Sequence, residues 1–90
     1  MRVLCIGDIV GKPGRKAVMA IVPALRRELS LDYVVANGEN AAAGRGLTFD
    51  TAHDIMSAGV DVITSGNHIW DEKQIIPHLD GELPILRPAN

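Results

Sequence analysis

Tyr33-Val34-Val35-Ala36-Asn37-Gly38-Glu39-Asn40 is the stretch whose reading decides the fold. An apolar, β-branched run stops at an Asn-Gly pair and passes straight into a carboxylate and an amide. The same pattern recurs on both sides of it. Residues 3–6 run into Gly7-Asp8, and residues 60–64 run into Ser65-Gly66-Asn67-His68. A fourth apolar run covers residues 84–86. The runs are nearly continuous rather than alternating, which suits strands covered on both faces in a parallel sheet.

Helical patterns fill the gaps. Residues 15–29 place Val18, Ile21, Val22, Leu25 and Leu29 close to the 3.6-residue period, with Arg26, Arg27 and Glu28 on the other side. Pro23 lies inside this segment and is expected to kink or split it. Residues 48–58 begin with the N-cap residue Thr48 and the first-turn acid Asp50, and stop at Gly59. Residues 71–79 form a shorter pattern opened by Asp71 and disturbed by Pro77. The order is β-α-β-α-β-α-β, which implies βαβ crossovers and a mostly parallel sheet. The fold class is α/β.

Composition narrows the partners. Ninety residues allow a single α/β domain spanning 1–90. Nine basic and eleven acidic residues give a net charge of −2, without the dense positive field of an extended nucleic-acid surface. No apolar run approaches the roughly 20 residues that span a bilayer. The apolar stretch at the N-terminus is too short for a signal peptide and meets Asp8 at once. These features predict a cytoplasmic protein. The single cysteine, Cys5, sits in an apolar run and reads as a buried thiol. The chain stops at Asn90 just after an apolar run, so an incomplete, N-terminal fragment of a larger domain is expected.

In open α/β sheets ligands bind beyond the carboxyl ends of the strands. Those ends here carry Asp8, then Glu39 with Asn40, then Asn67 with His68. Carboxylate oxygen, amide oxygen and imidazole suit manganese, iron or zinc, and without a cysteine pair a thiolate zinc site is excluded. A central glutamate could bridge two metals, the clamp used for in-line phosphoryl displacement. Each piece also has a plainer reading. Asp8 fits a helix cap, Asn37-Gly38 a turn, and Asn67-His68 a turn with an exposed imidazole. It is the conjunction after three strands that points to a metal or phosphate site.

Other residues stay open. The loop Gly7-Asp8-Ile9-Val10-Gly11-Lys12-Pro13-Gly14-Arg15 is not a P-loop, since its spacing is one residue short and Pro13 replaces the Ser or Thr. Lys12 or Arg15 either faces a phosphate or is a solvated loop charge. Arg45 either guides an anionic substrate or is a loop charge. Trp70 either walls a nucleotide pocket or packs under the loop. His53 and His78 read as surface residues.

Four stretches together resemble one family. They are Gly7-Asp8-Ile9-Val10-Gly11 with Gly14-Arg15, Asn37-Gly38-Glu39-Asn40-Ala41-Ala42, Gly66-Asn67-His68 with Trp70-Asp71, and Arg87-Pro88-Ala89-Asn90. These look like the motifs of the YmdB-type metallophosphoesterases, within the calcineurin-like phosphoesterase superfamily. The resemblance implies the N-terminal part of a metallophosphoesterase-like α/β sandwich. It implies that Asp8 binds one metal, Glu39 bridges two, Asn40 assists at the first and Asn67 binds the second. It implies His68 as the general acid. The activity implied is phosphodiester hydrolysis, including 2′,3′-cyclic nucleotides, with two transition-metal ions, iron or manganese. Further histidine ligands of that family lie in a second half with no counterpart here, so weak metal binding and little turnover are expected of the chain alone, along with association into a homo-oligomer. The alternative is a truncated or degenerate nucleotide-binding module without turnover.

Overall fold

A computed structural model describes residues 1–42, 46–66, 68–69, 73–78 and 84–86. Strand β1 (Val3–Asp8) leads into helix α1 (Gly11–Glu28), strand β2 (Tyr33–Asn37), helix α2 (Phe49–Ser57) and strand β3 (Val62–Thr64), followed by a 3₁₀ helix over Lys73–His78. The sheet is parallel, in the order β1-β2-β3. Beyond β3, Ile85 forms a parallel bridge with Ile63, so the apolar run at 84–86 does join the sheet edge, as one bridge rather than a strand.

The strand order explains where the core lies. Consecutive parallel strands joined by crossovers of one hand put both helices on the same face. Val34, Ala36 and Ile63 from the sheet, Val18 and Val22 from α1, and Ala52 and Ile55 from α2 form one buried cluster. Burying each of the larger aliphatic side chains contributes about 1.5–3 kcal/mol. The expected cover on both faces is therefore not found among the described residues. Val3 and Tyr33 are paired neighbours on the other face and remain 49% and 50% exposed. Cys5 shares that face and is exposed, not buried.

Helix α1 differs from expectation at both its start and its middle. It begins at Gly11, whose φ of 61° is in the left-handed region that glycine tolerates. It also runs through Pro23 without dividing. Proline removes one amide donor and crowds the preceding turn. The helix is held on both sides of that defect, by Val18 and Val22 in the core and by Arg26 beyond. It ends in a Schellman arrangement, with Ser30 at φ 51° and Leu31 N donating to Arg26 O.

Helix α2 follows the sequence closely. Thr48 accepts from Thr51 N, and the Thr51 hydroxyl accepts from Thr48 N, a reciprocal capping box. The third expected helix is a 3₁₀ helix, consistent with the missing amide of Pro77. Asp71, its expected cap, lies outside the described residues.

The amino ends of the strands are locked by Arg26. Its Nη1 donates to Gly59 O at 2.6 Å and to Asp61 Oδ2 at 2.7 Å, while Nη2 reaches Asp32 O at 3.2 Å. Asp61 Oδ2 also accepts from Val34 N at 2.9 Å. Burial pushes the Asp61 carboxyl up, but the hydrogen bonds from Arg26 and Val34 and the charge of Arg26 together hold it below its ordinary value.

Candidate functional site

The opposite, carboxyl ends of the strands bring the polar residues together. Regular pairing of β1 with β2 ends at Ile6↔Ala36, and the next pair is Asp8↔Asn37. Gly7 is the extra residue of this bulge. Without it, two-residue alternation would place Asp8 on the helix-covered face of Leu4 and Ile6. The bulge instead sets Asp8 beside Asn37 and within reach of the loop that follows β2.

That loop delivers Asn40, which is only 8% exposed. Its Nδ2 donates to both Asp8 oxygens, at 3.0 and 2.9 Å. Its Oδ1 lies 2.6 Å from His68 Nδ1. A carboxylate only accepts, so the amide nitrogen must face Asp8 and the amide oxygen must face His68. His68 Nδ1 therefore carries the proton in this contact. Asp8, Asn40 and His68 form a continuous hydrogen-bonded chain that fixes the imidazole and leaves its Nε2 edge outside the chain.

Glu39 sits beside this chain. Its Oε2 accepts from His68 N at 3.1 Å and lies 3.8 Å from His68 Nδ1. Asn37 frames it from the other side. Asn37 Oδ1 accepts from Glu39 N at 3.3 Å, and Asn37 Nδ2 lies 3.5 Å from Glu39 Oε1. Gly66 leaves the room, because a Cβ there would stand 2.5 Å from Glu39 Oε1. The sequence places Asn37-Gly38 and Gly66 in the strand-end motifs but gives Asn37 no role beyond a turn and does not pair Gly66 with Glu39. The signal for Asn37 was the Asx spacing to the backbone amide two residues on.

Of the residues expected at the site, the structure brings together Asp8, Glu39, Asn40 and His68, while Asn67 lies outside the described residues. Arg45, Trp70 and the 87–90 motif also lie outside them. Arg15, read from the sequence as facing a phosphate or solvated, directs its Nη1 to Ala41 O and Ala42 O. His53 stacks on Phe49 along α2, with ring centroids 6.4 Å apart.

The donor set of two carboxylates, an amide and an imidazole fits a borderline transition metal in kind. Among the described residues, no three His, Cys, Asp or Glu side chains are grouped to hold a metal ion.

The parallel sheet with helices on one face defines an α/β domain, and these groups stand at the strand ends where open α/β sheets place their ligand sites. More specifically, residues 4–90 match the family described as YmdB-like protein, and the chain belongs to that family. It is 47% identical over 90 residues to the 2′,3′-cyclic-nucleotide 2′-phosphodiesterase of Bacillus subtilis, covering all of this chain and 34% of that one. A crystal structure of a hypothetical protein from Thermus thermophilus superposes with a TM-score of 0.91 at 44% identity, over 98% of this chain and 34% of that one. A crystal structure of a novel phosphatase from Mycoplasma pneumoniae gives a TM-score of 0.90 at 32% identity, over 98% and 31%. The chain thus spans about a third of the length of the relatives it matches. No described helix is long and apolar enough to cross a membrane.

Proposed function

We propose that this chain carries part of a metal-dependent phosphodiesterase site acting on 2′,3′-cyclic nucleotides and related phosphodiesters. The observation that supports the reading best is the Asp8–Asn40–His68 chain, with Glu39 held against the His68 amide. The name of the Bacillus subtilis relative supports the substrate class. In this reading Asp8, Glu39, Asn40 and Asn67 supply ligands to a pair of iron or manganese ions. Bound metal would neutralise phosphate charge and lower the pKa of a water. His68 is the general acid. In the doubly protonated ring Asn40 accepts from Nδ1–H, so Nε2–H faces the leaving oxygen and gives up its proton without the ring rotating, leaving the neutral Nδ1–H form. The protein is read as cytoplasmic and self-associating, the latter supported by the exposed sheet face around Val3 and Tyr33.

The test is Mn²⁺ titration of the chain and of Glu39→Ala, with hydrolysis of 2′,3′-cyclic AMP followed in parallel. Binding that weakens in the variant is the expected result. Equal binding by both proteins would sink the metal reading. A second reading is a nucleotide-binding module without turnover. It is favoured by the lack of a three-ligand group among the described residues, and it predicts nucleotide binding that survives chelation.

A further inference from the structure

The loop carrying Glu39 and Asn40 is held by α1 through three successive carbonyls. Asn40 O accepts from Gly11 N at 3.0 Å, and Ala41 O and Ala42 O each accept from Arg15 Nη1 at 2.5 Å. The turn is closed within itself by Ala41 N donating to Gly38 O at 3.1 Å, and beyond by Ala42 N donating to Gly46 O at 3.1 Å. Ala41 is fully buried, so its carbonyl has little access to replacement water. A guanidinium stays charged at any pH the fold survives and makes stronger hydrogen bonds than a neutral donor.

We propose that Arg15 is a positioning residue of the phosphodiesterase site, clamping the loop so that Asn40 can join Asp8 to His68. The inference rests on the reading given under Proposed function. Arg15 acts through the two carbonyls that directly follow Asn40. Without it those carbonyls lose their donor inside the fold, an unfavourable state that the loop relieves by turning them toward water. Asn40 moves with them, and the 2.6 Å contact to His68 is the bond that opens.

The experiment is long-range ¹H–¹⁵N spectroscopy of the His68 ring at a pH where it is neutral, in the chain itself, with Arg15→Met and Arg15→Lys. The wild type is expected to show the Nδ1–H tautomer. In Arg15→Met this form should fall to a minority while the amide resonances of β2 and α2 stay folded, and Arg15→Lys should restore much of it. Should Arg15→Met not fold, Arg15→Gln is measured in its place with the same expectation. An unchanged tautomer in the folded variant overturns the Arg15 inference and leaves the proposed function standing. A wild type lacking the Nδ1–H form overturns the Asp8–Asn40–His68 chain itself, and the Arg15 inference with it.

Discussion

Gly66→Ala should dislodge the Glu39 carboxylate while leaving the fold in place. The added Cβ would lie 2.5 Å from Oε1, 2.7 Å from Oε2 and 2.9 Å from Cδ of Glu39, whereas ordinary contact begins near 3.4 Å. The carboxylate must therefore retreat by about 0.9 Å, and it is the free end of a flexible side chain, so the retreat is cheap. Gly66 does not occupy the left-handed region, so alanine brings no backbone strain. The retreat opens the 3.1 Å bond from His68 N and carries Oε1 away from Asn37, already 3.5 Å distant. Stability should fall by only about 1 kcal/mol, the usual net worth of one such bond. Displacing a ligand's support typically weakens a metal site about 10–100-fold. The assay pairs a thermal melt with the His68 amide resonance and a Mn²⁺ titration. The companion variant Gly38→Ala places its Cβ 2.7 Å from Ile63 Cγ2, in the fully buried core. It should instead cost about 1–3 kcal/mol through overpacking. A Gly66→Ala protein whose His68 amide does not move, or one that unfolds as readily as Gly38→Ala, would refute the reasoning.

Three further outcomes follow from the scaffold. The folded Asp61 carboxyl binds its proton less readily than the unfolded one, so its contribution is complete above the ordinary value of 3.8 and fades as pH falls through the lowered folded value. The melting-temperature gap between wild type and Asp61→Asn should accordingly be constant near neutrality and shrink below about pH 4; a gap independent of pH would count against it. Thr48→Ala should cost about 1 kcal/mol in chemical denaturation, because it removes the hydroxyl that accepts from Thr51 N while the Thr48 N bond to the Thr51 hydroxyl remains. Ser30→Gly should raise stability by about 0.5–1 kcal/mol by relieving the left-handed φ of 51°; a lower midpoint in urea would show that the serine does something the conformation does not reveal.

The alternation of strands and helices was legible because each apolar run is bounded by glycine and polar residues, and each cap, such as Thr48, is a local choice of residue. The candidate ligands were legible for the same reason: Asp8 closes β1, and Glu39 and Asn40 follow the end of β2. What escaped depends on contacts between distant segments. Pro23 is a breaker by local rules, but a helix pinned on both sides of it continues. Continuous apolar character in β1 suggested two covered faces, yet strand order decides which faces the helices reach. Arg15 offered a charge near a loop, and only the fold shows that Ala41 and Ala42 take it up. Gly66 matters through the atoms it lacks, a property visible only once Glu39 is seen beside it.

The register of the sheet also governs how the protein is assembled. Val3 pairs with Tyr33, and Val35 with Val62, so partners lie roughly thirty residues apart. No described strand pair is a hairpin, and none can zip from a tight turn. Each pairing requires closing a long loop whose entropic cost is recovered only when the intervening helix docks. Folding should therefore be slower than in a helical bundle of this size, with α1 and α2 compacting the crossovers before the strands align. Substitutions at Val22 or Ile55 are expected to slow refolding, whereas substitutions at Asn40 or His68 should act on unfolding, since the strand ends meet only after all three strands are in place. Stopped-flow refolding and unfolding of these variants would reveal the order, and chemistry at the sheet's rim would then be the last thing the chain acquires.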